Sequence, residues 1–233
     1  MLAQVVDKIQ NKLVAFPQFT LGGFMKFLLA FLFCTNAFAI NPAVTIEYEV
    51  KKIRNSTDIL FIIDNSGSMY HHQQTLKGLG DVFLKELGST NYQISAINSD
   101  PDDIFDGDTL SSKDPNVLDA FKNLMTKFGT HGSAEELIFK KLIDFNKTSI
   151  ASKLMRKGNP LEVVIITDEE EQSYNRMAID YKDVLSELSQ ISKKIHVNSI
   201  IPVSNDIQCS GNIEIDIEAY RKISTETNGD ILD

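Results

Sequence analysis

Five consecutive apolar residues, Ile59-Leu60-Phe61-Ile62-Ile63, stand between Asp58 and the polar string Asp64-Asn65-Ser66-Gly67-Ser68-Met69. An isoleucine-rich run this short, with no alternation, reads as a strand buried on both faces. Such strands belong to parallel sheets covered by helices on either side, so this run narrows the fold before any other feature does. Its abrupt polar end is equally informative. In open parallel sheets ligands bind in the crevice beyond the carboxyl ends of the strands, which is where Asp64, Ser66 and Ser68 fall. With Gly67 permitting a tight backbone path, one carboxylate and two hydroxyls can turn toward a common point. Hard oxygen donors with no Cys or His among them suit Mg²⁺, Ca²⁺ or Mn²⁺ and fit Zn²⁺ or Cu²⁺ poorly.

The chain beyond this run alternates helix and strand. Leu76, Leu79, Phe83 and Leu87 recur at helical spacing and predict a helix over 73–87, capped by Gly88. Residues 92–98 read as a strand, so strand, helix and strand form a right-handed parallel crossover. Residues 99–115 form an acidic, turn-rich loop whose aspartates lack the Gly and Glu positions of an EF-hand, and the loop reads as solvated. Val117, Phe121, Leu124 and Phe128 mark a second helix, with Asp114 and Pro115 at its start. Ile138, Leu142 and Phe145 mark a third, over 134–145, followed by a basic loop through Lys153, Arg156 and Lys157. A strand over 161–167, a helix carrying Tyr181, Val184 or Leu185, Leu188 and Ile191, and a strand over 195–201 come next. A last helix with Ile217, Tyr220 and Ile223 leads into a final strand at 229–232. Residues 45–50 alternate like an edge strand or belong to a linker. The expected fold is α/β, a doubly wound and mostly parallel sheet with helices on both faces.

The apolar strand followed by Asp64-x-Ser66-x-Ser68 resembles the metal-ion-dependent adhesion site of von Willebrand factor type A domains. Two further loops match that family in the expected order. Gly129-Thr130-His131-Gly132 resembles its threonine loop, and Val163-Val164-Ile165-Ile166-Thr167-Asp168 resembles its second buried strand ending in aspartate. The resemblance covers roughly 58–233. It implies that Ser66, Ser68 and Thr130 bind the cation directly, while Asp64 and Asp168 do so largely through water. One position is then left for a partner's Glu or Asp. Mg²⁺ favours such a site because it prefers octahedral geometry and keeps several waters; Mn²⁺ and Ca²⁺ are the alternatives. Ser133, on the same loop as Thr130, is a second candidate for the hydroxyl. Family members usually continue into a C-terminal helix, whereas this sequence stops at Asp233, so that helix is expected to be missing.

The implied function is divalent-cation-dependent adhesion or protein binding without catalysis, toward a protein or cell-surface ligand presenting Asp or Glu. His71, His131 and Glu169 are expected on the partner-binding rim, while Gln73 and Gln74 read as a solvated helix start. Two other functions stay open. One is a metal-dependent hydrolase or phosphotransferase using Asp64, although Ser66 stands where the haloacid dehalogenase pattern has its second aspartate. The other is a structural exported domain without metal.

A formal net charge of −9 disfavours nucleic acid as a partner. Residues 25–39 read as a signal peptide, with Lys26, an apolar core and an Ala37-Phe38-Ala39 cleavage pattern. Residues 1–24 form an upstream extension, 40–57 a linker or edge strand, and 58–233 the domain. The expected location is extracytoplasmic, periplasmic or secreted, with the membrane involved only through an uncleaved signal or a lipid anchor at Cys34. Cleavage after Ala39 leaves Cys209 as the sole cysteine.

Overall fold

A computed structural model of the chain describes residues 26–28, 45–47, 56–100, 108–133, 135–202 and 217–232. The upstream extension, the cleavage pattern at Ala39, residues 101–107 of the acidic loop and Cys209 lie outside the described residues. A two-stranded antiparallel pair joins β1 (Lys26–Leu28) to β2 (Thr45–Glu47). Of the edge strand expected at 45–50, the described residues 45–47 form a strand that pairs with β1.

The central sheet has six strands. Strand β3 (Ser56–Ile63) is flanked on one side by β4 (Asn91–Asn98) and β5 (Thr109–Ser111). On the other side lie β6 (Leu161–Ile166), β7 (Ile195–Ile200) and β8 (Ile231–Leu232). All neighbours are parallel except β4 and β5. The sheet order thus reverses at β3, which puts the topological switch point beside its carboxyl end.

The apolar run divides its side chains between two cores, as a doubly covered strand must. Leu60 and Ile62 face one cluster, while Ile59, Phe61 and Ile63 face the other. The first cluster is closed by α4 (Ile138–Phe145), α5 (Ser149–Leu154), α7 (Tyr181–Ile191) and α8 (Glu218–Glu226). The second is closed by α1 (Tyr70–Gly78), α2 (Gly80–Leu87) and α3 (Val117–Leu124). At its centre Phe83 stacks on Phe121 at 5.1 Å, and Phe61 meets both rings edge-on. A short α6 (Ser173–Met177) follows the β6 loop.

Several boundaries differ from expectation. The first helix begins earlier, at Tyr70, and is interrupted at Leu79 between Gly78 and Gly80, two residues of low helix propensity. Helix α4 starts at Ile138 rather than at 134, because tertiary hydrogen bonds replace its first turn. Gln172 N donates to Glu136 O, and the Phe139 N–H is taken by Glu171 Oε1 at 3.0 Å. Part of the supposed basic loop is α5, whose N-cap Thr148 accepts from Ala151 N.

Arg156, just beyond α5, is not a solvated charge. Its Nε donates to Asp58 Oδ1 at 2.6 Å and its backbone N to Asp58 Oδ2 at 2.7 Å. The guanidinium also reaches Thr57 O and Asn91 O. Asp58 is fully buried, so Arg156 neutralises the amino end of β3. Arg156→Ala strands that carboxylate and is expected to lower stability by about 3 kcal/mol, the low end for breaking a buried pair because the guanidinium is partly solvated. Urea denaturation at neutral pH checks this.

Candidate metal centre

Parallel pairing of β3 with β6 sets Ile63 opposite Ile166, so both strands end at the same level. Asp64 N donates to Ile166 O, extending the ladder by one bond before the strands part. The Asp64 side chain is fully buried. Its Oδ1 accepts from Ser66 N and its Oδ2 from Thr167 Oγ1, both at 2.7 Å. The carboxylate therefore folds its own loop and clasps the neighbouring strand end.

From there a line of oxygens runs to the surface. The hydroxyls of Ser66 and Ser68 lie 2.9 Å apart, and Ser68 Oγ donates to Asp168 Oδ1 at 3.0 Å. Gly67, Ser68 and Met69 form a 3₁₀ turn that feeds into α1. Oxygens held about 3 Å apart match the edge of an octahedron whose centre lies about 2.1 Å from each corner, the Mg²⁺–oxygen distance. Among the described residues no group of three or more His, Cys, Asp or Glu side chains is arranged to hold a metal ion. The candidate donor set here is largely hydroxyl, as electrophilic Mg²⁺ sites allow.

The threonine loop is fastened to this line by backbone and side-chain bonds. Gln73 is buried, and its Nε2 donates both to Asp64 O at 3.1 Å and to Gly129 O at 2.7 Å. This corrects its expected solvated place. Gly132 N donates to Asn65 O at 2.9 Å, and a Cβ on Gly132 would collide with the Asn65 amide. Asp100 Oδ2 accepts from Ser133 N, so at least this residue of the acidic loop is structural. The Ser133 hydroxyl accepts from Glu135 N, a local turn contact. Thr130 itself flanks Gly67, its carbonyl 4.0 Å from where a side chain there would begin. His71 and His131 are exposed beside these loops.

Carboxylates crowd the site. Burial, reinforced by Asp64, raises Asp168 to about 6. Burial, then Asp64 and Asp168, raises Glu169 to about 7. Glu136 is fully buried, with neither oxygen hydrogen-bonded, and burial followed by the charge of Asp64 pushes it up to about 9. Sequence reasoning missed Glu136, Thr167 and Gln73. Thr167 left a trace, as the polar residue closing a buried strand. Glu136 left only an acid set directly against Leu137-Ile138-Phe139, and Gln73 left none.

The family comparison agrees with this architecture at the level of the fold. The chain belongs to the von Willebrand factor type A domain family, whose model matches residues 58–229. Domains of this family generally serve as protein-interaction or adhesion modules and are usually not enzymes. No protein among the curated sequences matches. A solved structure, that of proximal thread matrix protein 1 from the mussel byssus, is similar at a TM-score of 0.48 and 11% identity. The similarity covers 76% of this chain and 43% of that one, so this chain spans less than half of that protein's length. No helix among the described residues is long and apolar enough to cross a membrane.

The raised carboxylates carry a pH signature in the cation-free chain. A carboxyl whose folded pKa lies above its unfolded value of about 4 holds its proton more tightly when folded, so its contribution is full at low pH and is lost as pH rises. For Asp168 and Glu169 that window runs from about 4 to about 7. With chelator present, D168N/E169Q is expected to gain stability over wild type progressively across this window. Melting temperatures of both proteins from pH 4.5 to 8 measure the gap; a constant gap contradicts the assignment.

Proposed function

We propose that this domain binds a protein or cell-surface ligand through a divalent cation, with the partner's Asp or Glu completing the metal shell. The observation that carries the reading is the line of oxygens Ser66 Oγ, Ser68 Oγ and Asp168 Oδ1, hydrogen-bonded in sequence at the carboxyl ends of two adjacent strands, with Asp64 holding the loop through the Ser66 amide. Ser66, Ser68 and Thr130 would hold the ion directly, and Asp64 and Asp168 would support it through water. When bound, the cation supplies Lewis acidity toward an outside anion, because neutral hydroxyls leave most of its charge unspent. Mg²⁺ fits best, with Mn²⁺ and Ca²⁺ as substitutes.

The surroundings favour recognition of a protein. Tyr70, Tyr174 and Met177, the exposed large hydrophobic residues among those described, follow closely after the Asp64 and Asp168 loops. Together with His71, His131 and Glu169 they would form the rim that a partner covers. Catalysis by Asp64 is disfavoured by its burial and by the donors already held on both its oxygens. A nucleophilic carboxylate needs a free oxygen facing substrate. Export follows from residues 25–39, and the domain would act in the periplasm or outside the cell.

Titration of Mg²⁺ and Mn²⁺ into the 233-residue chain tests the reading, beside Asp64→Ala and Thr130→Ala. Wild type is expected to bind and to melt at higher temperature, by an amount equivalent to about 2.7 kcal/mol at a hundredfold excess over Kd. Both variants are expected to lose that protection. A folded wild-type chain indifferent to either ion at millimolar concentration would leave only a structural domain. Export has its own check: N-terminal sequencing of the secreted or periplasmic product is expected to begin at Ile40.

A further inference from the structure

Helix α1 buries a single side chain, and that side chain is polar. Of Tyr70–Gly78 only Gln73 is buried, at 2% exposure. A helix laid against an apolar core normally seats hydrophobic residues there, as its neighbour α2 does with Val82, Phe83 and Leu87. The Gln73 amide instead bridges two loops. Its Nε2 donates to Asp64 O at 3.1 Å and to Gly129 O at 2.7 Å, so both of its hydrogens are used. These carbonyls stand next to the candidate donors: Gly129 O belongs to the peptide that leads into Thr130, and Asp64 precedes Ser66 by two residues. One buried nitrogen therefore fixes how far the threonine loop lies from the serine loop. A second bond, from Gly132 N to Asn65 O at 2.9 Å, joins the same loops further along.

Resting on the cation-site reading, we propose that Gln73 is a positioning residue that selects the size of the ion. The reasoning is geometric. Ser66 and Ser68 come from one loop and Thr130 from the other, so the spacing between the loops sets the width of the cage. Mg²⁺ demands near-ideal octahedral geometry with oxygens at about 2.0–2.1 Å, whereas Ca²⁺ accepts irregular shells at about 2.3–2.6 Å. Those radii differ by only a few tenths of an ångström, so a cage that prefers the smaller ion needs its two loops held at one separation. Gln73 supplies that constraint through the two backbones and leaves the outer face of the ion to the partner. Without the bridge, the Gly132–Asn65 bond still keeps the loops together, but with slack between them. The loss then falls on Mg²⁺ first, because the flexible Ca²⁺ shell tolerates slack.

The test compares wild type, Gln73→Met and Gln73→Asn as full-length chains. Each is titrated with Mg²⁺ and with Ca²⁺ at fixed pH, and its amide hydrogen exchange is followed in chelator. Met matches Gln in length and donates nothing, while Asn keeps an amide but is too short to span both carbonyls. Gln73→Met is expected to weaken Mg²⁺ binding about 10–100-fold, the range for groups that orient metal ligands. Ca²⁺ binding is expected to weaken distinctly less, so the wild-type preference for Mg²⁺ shrinks or inverts. Gln73→Asn is expected to shift the ratio in the same direction. With no ion present, the Gly132 N–H is expected to exchange faster in both variants, because slack between the loops opens its bond to Asn65 O. A residue that only held the fold together would lower both affinities alike. The proposal is overturned, and the cation site left standing, by an unchanged affinity ratio or unchanged Gly132 exchange in either folded variant. A wild type that binds Ca²⁺ as tightly as Mg²⁺, or failure of both variants to fold, overturns it equally. A wild-type chain that binds neither ion removes both readings together.

Discussion

Everything at the candidate centre depends on the register between β3 and β6. Because Ile63 lies opposite Ile166, Asp64 and Thr167 leave the sheet side by side, and a 2.7 Å hydrogen bond joins their side chains. A slip of one residue would turn each strand's side chains to the opposite core, moving Leu60 and Ile62 among the aromatic rings of Phe83 and Phe121. The packing of the two cores therefore sets the register, and the register sets the site. Apolar burial acts here as the positioning force for polar chemistry some ångströms away.

The two ends of β3 handle buried negative charge in opposite ways. At the amino end Asp58 is met by the Arg156 guanidinium, by the Arg156 backbone N and by the Asn159 side-chain amide, so that end is neutral and closed. At the carboxyl end Asp64 is met by an amide and a hydroxyl, with Glu136, Asp168 and Glu169 close enough to raise one another's proton affinity. One end serves stability alone. The other is left electronegative, a condition a stable fold retains only where a cation or a proton relieves it. Glu171 shows how the same residue type serves structure when donors are supplied. It accepts from Phe139 N, Ser173 N and Ser173 Oγ, and so fastens the Asp168 loop to the start of α4.

Much of the architecture was legible along the chain because its signals are local. Continuous apolar runs read correctly as the buried strands β3 and β6, and helical spacing located α7 and the starts of α3 and α8 within a residue, although α3 ends at Leu124 and leaves Phe128 outside it. Two of the candidate loops were visible as polar residues following those strands, and the threonine loop as Gly129-Thr130-His131-Gly132 after α3. Three of the misses share one cause, which is long-range hydrogen bonding. The start of α4 moved because Glu171 and Gln172 bond where a helical turn would have been. Gln73 looked solvated because its two acceptors lie 9 and 56 residues away. Arg156 looked like a surface charge because its partner, Asp58, is 98 residues distant.

By itself the sequence determined which residues become buried strands and which polar side chains stand at their ends, since hydrophobic periodicity and chain punctuation are properties of neighbouring residues. That was enough for the doubly wound class and for singling out Asp64, Ser66 and Ser68, while the resemblance to the family's motif added Thr130 and Asp168. Only the tertiary structure decided how these groups meet: that Thr167 holds Asp64, that Gln73 ties two loops, and that Glu136 lies buried beneath them without a donor. The reason is that burial and hydrogen-bond satisfaction arise when distant segments exclude water from one another, and no local pattern encodes which segments those will be.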